Sequence, residues 1–279
     1  AGLVAECLRG DLKRELAFIE LPRDYTRLAS AWQDTPEIRE ACGTPDPDLR
    51  AALGRGFMLM GKGAEAVAVL EPLLENRTMG EHGLYALSCC YNEALLGKDW
   101  KKLLHIADCV AAWPLPEGIS SQLAYSSAIA YQALGNSVRA LSVWRTVCED
   151  ETAAAWQRAY ASWYLACDAS RKKDSKNAYA LYSRTVSFFE AAARQGSGHV
   201  DNSLLTSARR LAEICEKDGR KREALAWLAQ IPQKEALAAS VPPQPRRNPA
   251  SGSETAGAER EESAPAPFPG RDLISSVSK

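Results

Sequence analysis

The sequence lacks a charge bias and a long apolar run. Its 34 Lys and Arg residues balance 35 Asp and Glu residues, which leaves a net charge of −1 over 279 residues. A nucleic-acid-binding domain usually carries a clear basic excess, so we expect no nucleic-acid partner. A membrane helix needs about 18 apolar residues in a row, and the longest candidate, 103–115, is interrupted by His105, Asp108 and Pro114. We therefore expect no direct insertion into a membrane.

Histidine is scarce as well, with His82, His105 and His199 as the three in the chain. Metal sites and enzymes that depend on clustered imidazoles have little to draw on. His105 and Cys109 have the i, i+4 spacing of a metal pair, but one pair is half a site, and we interpret Cys109 as a core residue beside an edge histidine. No glycine-rich loop has the spacing of a phosphate-binding motif. The sequence predicts a non-catalytic protein without a cofactor or a metal.

The eight cysteines are scattered and form no C-x-x-C pair, which favours a reducing compartment over a disulfide framework. Cys89 and Cys90 are neighbours on a predicted helix, where side chains diverge by about 100°, so we interpret them as packing thiols. The chain begins at Ala1 without a signal-like segment, and we expect it to be part of a longer protein or a processed product. We predict a cytoplasmic location, or a periplasmic one if a preceding segment carries a signal or an anchor.

The sequence does contain an internal repeat. A turn residue is followed five positions later by a helix-compatible residue, and successive turns from the first lie 36, 38, 38 and 46 residues apart. The pairs are Gly61 and Ala66, Gly97 and Lys102, Gly135 and Ala140, Lys173 and Ala178, and Gly219 and Ala224. Amphipathic stripes with i, i+3, i+4, i+7 spacing lie before and after each turn. Each repeat is therefore predicted to form two helices joined as an antiparallel hairpin.

Helix start and stop signals agree with this pattern. Asp46 and Thr35 each precede a proline, which is typical of a capped helix N-terminus, and Gly61 and Gly135 lie where a helix should end in a left-handed residue. No segment before residue 232 alternates with period two for long enough to predict a strand. We predict an all-α fold in which the hairpins stack into an α-solenoid, a right-handed superhelix.

Three copies of the repeat carry a resemblance to a known family. The copy at 121–150 has Ala128 and Tyr131 before Gly135 and Ala140 and Trp144 after it. Comparable residues occur at 205–232 (Leu211, Ala212, Cys215, Gly219, Ala224, Leu228) and at 47–74 (Leu53, Gly54, Phe57, Gly61, Ala66, Leu70). These residues resemble the tetratricopeptide repeat, although the spacing exceeds the family's 34 residues and the copies at Gly97 and Lys173 match less well.

We divide the chain into three parts. Residues 1–46 are expected to form degenerate helical hairpins, and residues 47–232 the repeat array. Residues 233–279 are expected to form a flexible tail, since the last 39 residues hold seven of the 15 prolines and few large apolar side chains.

The resemblance implies a protein-interaction scaffold that receives a peptide or helix of another protein in a concave groove lined by the first helix of each hairpin. Two alternatives stay open: a chaperone-like holder of secreted or assembly subunits, and a helical accessory region of a larger cell-envelope enzyme. The carboxylate-gripping site of some family members is not carried over, because the matching face has Tyr125, Ile129 and Gln132 instead.

The register of the copy at 121–150 predicts which residues face the groove. On that helix the candidates project away from Ala128 and Tyr131, and neighbouring first helices add others. The predicted partner-binding residues are Gln122, Tyr125, Ile129, Gln132, Arg55, Met58, Tyr160, Arg209 and Glu213. An exposed aromatic residue beside amide groups would supply a rigid anchor with polar neighbours that orient a peptide.

Overall fold

The computed structural model describes residues 42–43, 45–59, 61–77, 79–116, 118–196 and 202–240. Across those residues every regular element is a helix and there is no strand, so the predicted all-α class is confirmed. The predicted N-terminal hairpins lie almost wholly outside the described residues, and the tail beyond Ser240 lies outside them too.

The chain divides into two compact units between Pro114 and Leu115. The described helices of the first unit are α1 (Pro47–Leu59), α2 (Gly63–Glu75), α3 (Glu81–Leu96) and α4 (Trp100–Val110). Those of the second are α5 (Ile119–Ala133), α6 (Ser137–Glu149), α7 (Ala155–Arg171), α8 (Ser175–Arg194), α9 (Asn202–Lys217) and α10 (Lys221–Ser240).

Within each unit a helix packs on its neighbours in sequence. In each unit every helix contacts the next one of that unit along the chain, and next-but-one contacts join α1 to α3, α2 to α4 and α7 to α9. Hairpins that contact only nearby hairpins are the packing pattern of an α-solenoid. The fold is therefore a solenoid-type array of helical hairpins, and the handedness of a superhelix stays a prediction.

Each hairpin turn is closed by one residue in the left-handed backbone conformation. These residues and their φ angles are Gly61 (71°), Lys98 (53°), Gly135 (76°), Lys173 (60°) and Gly219 (75°). At Gly135 the backbone N–H donates to the Gln132 carbonyl, and the next N–H, of Asn136, donates to the Tyr131 carbonyl. The same two hydrogen bonds occur at the other four turns, and together they satisfy carbonyls that a helix end would leave unpaired.

The predicted register of the second copy is wrong by one residue. Gly97 has a right-handed φ of −74°, and Lys98 takes the left-handed position. The residue five positions after the turn is therefore Leu103, which is fully buried, rather than Lys102. Lys102 instead places its Nζ 2.9 Å from a carboxylate oxygen of Glu71. With this correction the residues five positions after each turn are all at most 2% exposed: Ala66, Leu103, Ala140, Ala178 and Ala224.

Side-chain caps begin several helices directly after these turns. Asp99, Asn136 and Asp174 each accept a hydrogen bond from the backbone N–H three residues later, at 3.0–3.2 Å. The predicted cap at Asp46 is confirmed, since its carboxylate accepts from the Asp48 N–H at 3.0 Å. A left-handed residue followed by a cap ends one helix and starts the next within two residues.

Small residues allow the paired helices to approach. A Cβ atom at Gly54 of α1 would overlap the Leu70 side chain of α2, so a larger residue there would force Leu70 to move. Ala128, Ala140 and Ala161 are at most 2% exposed around the aromatic core of the second unit. The predicted role of small residues at the hairpin crossings is borne out at these positions.

The last helix extends farther than the boundary drawn at residue 232. Helix α10 continues through Pro232 to Ser240. Its second half is held against α8 by Lys234, which is 4% exposed and ion-paired with Glu190, and by Leu237, which packs on the adjoining core. These tertiary contacts offset the loss of one backbone hydrogen bond at the proline.

Candidate functional site

The second unit contains a depression of about 970 Å³ between α5, α7, α9 and the start of α8. We call it the groove. Its lining residues are Gln132, Trp163, Tyr164, Cys167, Ser170, Arg171, Lys173, Ser175, Ala178, Tyr182, Thr206, Arg210, Glu213, Ile214 and Lys217. Three first helices contribute, so the depression lies on the side of the unit where the resemblance predicted a binding surface.

The first helices α7 and α9 present equivalent positions to the groove. Counted back from the left-handed residues Lys173 and Gly219, positions two, six and nine before the turn all line it. They are Arg171, Cys167 and Tyr164 on α7 and Lys217, Glu213 and Arg210 on α9. The sequence prediction missed five of these six because it extended the register of α5 to its neighbours. Counting from the turns alone would not have found them, because the residue six positions before Gly135 is Ile129, which does not line the groove.

Aromatic side chains form a rigid part of the groove wall. The Tyr164 ring stacks on the buried Trp144 ring with centroids 4.7 Å apart and planes 13° from parallel. Trp163 packs edge-on to Tyr164 at 4.9 Å, and its indole Nε1 is buried without a hydrogen-bond partner. Both aromatic rings are therefore fixed in place by the core behind them, which lowers the entropy cost of packing a partner side chain against them.

A chain of hydroxyl and thiol groups lies beside these rings. Ser170 Oγ donates to Tyr182 Oη at 3.4 Å, and Tyr182 Oη donates to Cys167 Sγ at 3.7 Å. Burial raises the pKa of Tyr182 to about 12 and also raises the pKa of the Cys167 thiol, although Arg171 and Arg210 act against the latter shift. Both groups are neutral at physiological pH, so Cys167 has no thiolate character for nucleophilic chemistry.

Positive charge dominates the rim. Four of the lining residues are cationic, namely Arg171, Lys173, Arg210 and Lys217, and Glu213 is the anionic one. Arg210 Nη1 lies 2.8 Å from a Glu213 carboxylate oxygen, and Arg171 Nη2 lies 3.6 Å from Asp168. Lys173 and Lys217 have no ion-pair partner among the residues that the structure describes.

Tyr125 is not an exposed anchor, which corrects the prediction. It is 5% exposed and lies edge-on between Trp144 of α6, at 5.2 Å, and Trp156 of α7, at 5.1 Å. Helix α5 packs against α6 and α7 at once, so it buries a wider face than a single hairpin would require. The side that the repeat register assigned to solvent is covered by the next hairpin.

The packing of α7 against α5 and α8 also explains why three other predicted residues do not face the groove. Ile129 is half-buried against this aromatic cluster, and Tyr160 packs edge-on to Phe189 at 5.2 Å. Gln122 Oε1 accepts a 2.7 Å hydrogen bond from Nε2 of Gln157, which is 3% exposed. None of these three is among the groove's lining residues, since each is used in packing α5 or α8 against α7.

The remaining predicted residues fall in different places. Gln132 and Glu213 line the groove, and their role in binding stays a prediction. Arg209 faces the other way, with its guanidinium 3.5 Å from Glu235 on α10. Arg55 and Met58 belong to the first unit, where Arg55 lies 4.7 Å over the Tyr85 ring and Met58 packs on the core formed by α1 and α2.

The structure offers no metal site within the described residues, because no three His, Cys, Asp or Glu side chains there are grouped as ligands. His105 and Cys109 do face the same way, with Nε2 and Sγ 3.6 Å apart. Cys109 is half-buried rather than a core residue, and burial raises its pKa. Cys89 and Cys90 are both buried, as predicted for packing thiols.

The described residues define the class of this protein as an all-α array of helical hairpins. No family model matches the sequence, and no curated protein matches it. Two solved structures are similar at 19% sequence identity with a TM-score of 0.37. Both are crystal structures of a Podosopora anserina putative kinesin light chain with nearly identical TPR-like repeats, one of them a single-substitution variant. Matches to the variant cover 67% of this chain and 93% of that one, and to the other 69% and 98%.

No described helix combines the length and the hydropathy that crossing a membrane requires.

Proposed function

We propose that this chain is a non-catalytic protein-interaction scaffold and that the groove of the second unit binds an extended segment of a partner protein. The observation that carries the proposal is the depression of about 970 Å³ built by α5, α7, α8 and α9 around fixed aromatic rings. A site of that volume is large enough to take several side chains of a peptide.

The residue types in the groove also favour protein binding. Tryptophan, tyrosine and arginine are the residues most enriched at the energetic centres of protein interfaces. The groove contains Trp163, Tyr164, Tyr182, Arg171 and Arg210. Because the helices that carry these side chains are packed on a common core, we expect their backbone to move little on binding.

The groove's chemistry does not favour an enzyme. A nucleophile needs a base and a group that orients the base, and the pKa values of Cys167 and Tyr182 are raised rather than lowered. The two alternatives drawn from the resemblance, a chaperone-like holder and an accessory region of a cell-envelope enzyme, gain no specific support from the described residues.

The test is to fill the groove without changing its charge. Thr206 is exposed and lines the groove, so Thr206→Trp should obstruct it; Ser187 is exposed on α8 outside the lining, so Ser187→Trp is the matched control. Peptides selected from a random display library by the full-length chain should lose binding to Thr206→Trp and keep binding to Ser187→Trp. Circular dichroism should show equal helicity in both variants.

If the selected peptides bind Thr206→Trp as well as they bind the unmodified chain, the groove is not the binding site. If Ser187→Trp loses binding to the same extent, the loss does not come from filling the groove. Either result contradicts the proposal.

A further inference from the structure

The last described helix, α10, has apolar side chains on two opposite sides. On one side Ala224 is buried, and Trp227 and Leu237 pack on the core formed by α7, α8 and α9. On the other side Leu225 is 66% exposed and Leu228 is 40% exposed. At 3.6 residues per turn, these two leucines share an arc of about 100° with three more exposed apolar residues: Ala229, Pro232 and Ala236. We call these five exposed residues the outer stripe.

An exposed apolar stripe is unusual for a helix that already packs one apolar side on a core. A surface helix normally has a polar side toward solvent, and the end of a repeat array presents a polar outer face to water. No residue of α10 lines the groove, so the outer stripe is a separate surface. An apolar surface of this kind is typical of a docking site.

We propose that residues 259–269 of this chain dock on the outer stripe, with Phe268 packed on Leu225, Leu228 and Pro232. The docked segment covers the apolar side that α10 leaves open, so it caps the end of the second unit. This inference does not rest on the proposed function of the groove.

The first support is the distance that the chain has to cover. The described part ends at Ser240, the last residue of α10, and 39 residues of the chain follow it. Leu228 lies about 18 Å from Ser240 along the helix, at 1.5 Å per residue. A flexible linker that joins Ser240 to Phe268 has an end-to-end distance of about 26 to 32 Å, which is close to that span. Such a linker gives an effective concentration in the millimolar range, so even a weak contact is populated.

The second support is the composition of the docking segment. Between residues 242 and 269, Phe268 is the one aromatic and the one large apolar residue of the sequence. Pro265, Pro267 and Pro269 alternate around it and favour the polyproline II conformation. A segment that is already extended loses little conformational entropy on docking, so a single aromatic anchor contributes a larger share of its burial to binding.

The third support is charge complementarity. Exposed Lys221 and Arg222 lie at the N-terminal end of the outer stripe. Residues 259–262 precede Phe268 and hold three glutamates and one arginine, a net charge of −2. Six residues of polyproline II span about 19 Å, and Arg222 and Pro232 are about 15 Å apart along α10. A segment that runs parallel to α10 would therefore place its acidic residues beside the two basic ones and Phe268 farther along the stripe.

A second copy of the chain fits the outer stripe less well. A single pair of helices buries less than the roughly 1,200 Å² of a stable interface, so a dimer through this stripe would be weak. At micromolar protein concentration a weak dimer is sparse. The tail of the same chain competes at a millimolar effective concentration.

The first measurement is methyl NMR of the full-length chain with ¹³C-labelled leucine. An aromatic ring packed on a methyl group shifts its resonance, so Phe268→Ala should remove that shift from the signals of Leu225 and Leu228. The control Leu273→Ala truncates an apolar side chain outside the docking segment and should leave both signals unchanged. Leu134, which is 42% exposed at the end of α5, is the internal reference.

The second measurement is cleavage of the full-length chain by trypsin after Arg271, three residues beyond Phe268. The protease acts on the undocked tail, so the rate follows the undocked fraction. Leu225→Gln with Leu228→Gln should raise the rate about twofold or more, as expected when half of the tail or more is docked. The matched control, Leu134→Gln with Val138→Gln, changes two exposed apolar residues outside α10 and should leave the rate unchanged. Circular dichroism should show equal helicity in both double variants.

Three outcomes overturn the inference. Signals of Leu225 and Leu228 that do not respond to Phe268→Ala would show that the segment does not contact the outer stripe. Signals that change with protein concentration and not with Phe268→Ala would assign the stripe to a second copy of the chain. Equal cleavage rates in the stripe variant and its control would mean that the stripe does not hold the tail.

Discussion

Replacing Tyr125 by alanine tests whether the second unit is built around the aromatic cluster of α5, α6 and α7. The ring is 5% exposed and lies 5.2 Å from Trp144 and 5.1 Å from Trp156. A residue in a peptide-binding surface would contribute to binding and little to the free energy of unfolding. A residue at the centre of the aromatic cluster would contribute to the free energy of unfolding and little to binding.

The expected loss in the free energy of unfolding is large. Truncating a buried aromatic residue to alanine costs about 3 to 5 kcal/mol, because the transfer energy of the ring is lost and a cavity remains. Two edge-on aromatic contacts, each worth about 0.5 to 1.5 kcal/mol beyond buried area, place Tyr125 at the upper part of that range. For a unit of this size the melting temperature should fall by about 6 to 20 °C.

The assay is urea unfolding followed by tryptophan fluorescence, since Trp144 and Trp156 contact the substituted ring. The control is Gln132→Ala on the same helix, which is exposed and should change the free energy of unfolding by less than about 0.5 kcal/mol. A loss below about 1 kcal/mol for Tyr125→Ala would refute the reasoning, because it would place the ring on the surface after all.

Three further predictions address the turn at Lys98, the hydrogen bonds of the Asp150 carboxylate and the ion pair between Lys234 and Glu190. Lys98→Gly should stabilise the first unit by about 0.5 to 1 kcal/mol, because it relieves a left-handed residue of φ 53°; a lower melting temperature would contradict this. The Asp150 carboxylate accepts hydrogen bonds from Ser121 and Thr152, which lower its pKa below 3.8. The stabilisation is therefore present above pH 3.8 and is lost as the pH falls through the folded-state pKa of Asp150. The difference in the free energy of unfolding between Asp150→Asn and the unmodified chain should therefore shrink on acidification. A difference that does not change with pH would show that these hydrogen bonds do not stabilise the ionised carboxylate. Lys234→Met should cost about 1 to 3 kcal/mol by leaving Glu190 unpaired, and adding Glu190→Gln should recover part of the loss; equal stability of the single variant and the unmodified chain would show that the pair is not formed.

Residues close together in the chain were enough to predict the hairpins. At Gly135 one left-handed residue, two backbone hydrogen bonds and the Asn136 cap all lie within a few positions, so the turn depends on little outside them. The same left-handed residue and two backbone hydrogen bonds occur at Gly61, Lys173 and Gly219, and they explain why the repeat and the all-α class could be predicted from the sequence. The position at Gly97 was less determined, because either it or Lys98 can end the helix, and burial of Leu103 rather than Lys102 decides between them.

The helix end near Pro232 was not a local matter. Proline and the polar residues that follow it favour a helix stop, and the sequence prediction placed one there. The helix continues because Lys234 reaches Glu190 and Leu237 reaches the core of the preceding hairpin. Glu190 lies 44 positions before Lys234 in the chain, so no local sequence pattern reveals this contact.

What the sequence by itself determined is the hairpin, since caps, left-handed turns and i, i+3, i+4 spacing act within a few residues. What only the tertiary structure decided is which side of each helix the next hairpin covers. On α5 that contact buries Tyr125 among rings from α6 and α7, whereas on α7 and α9 it leaves Tyr164 and Arg210 lining the groove. Helical periodicity defines an apolar side and a polar side but not the width of the buried side, because that width depends on how many neighbours the helix packs against.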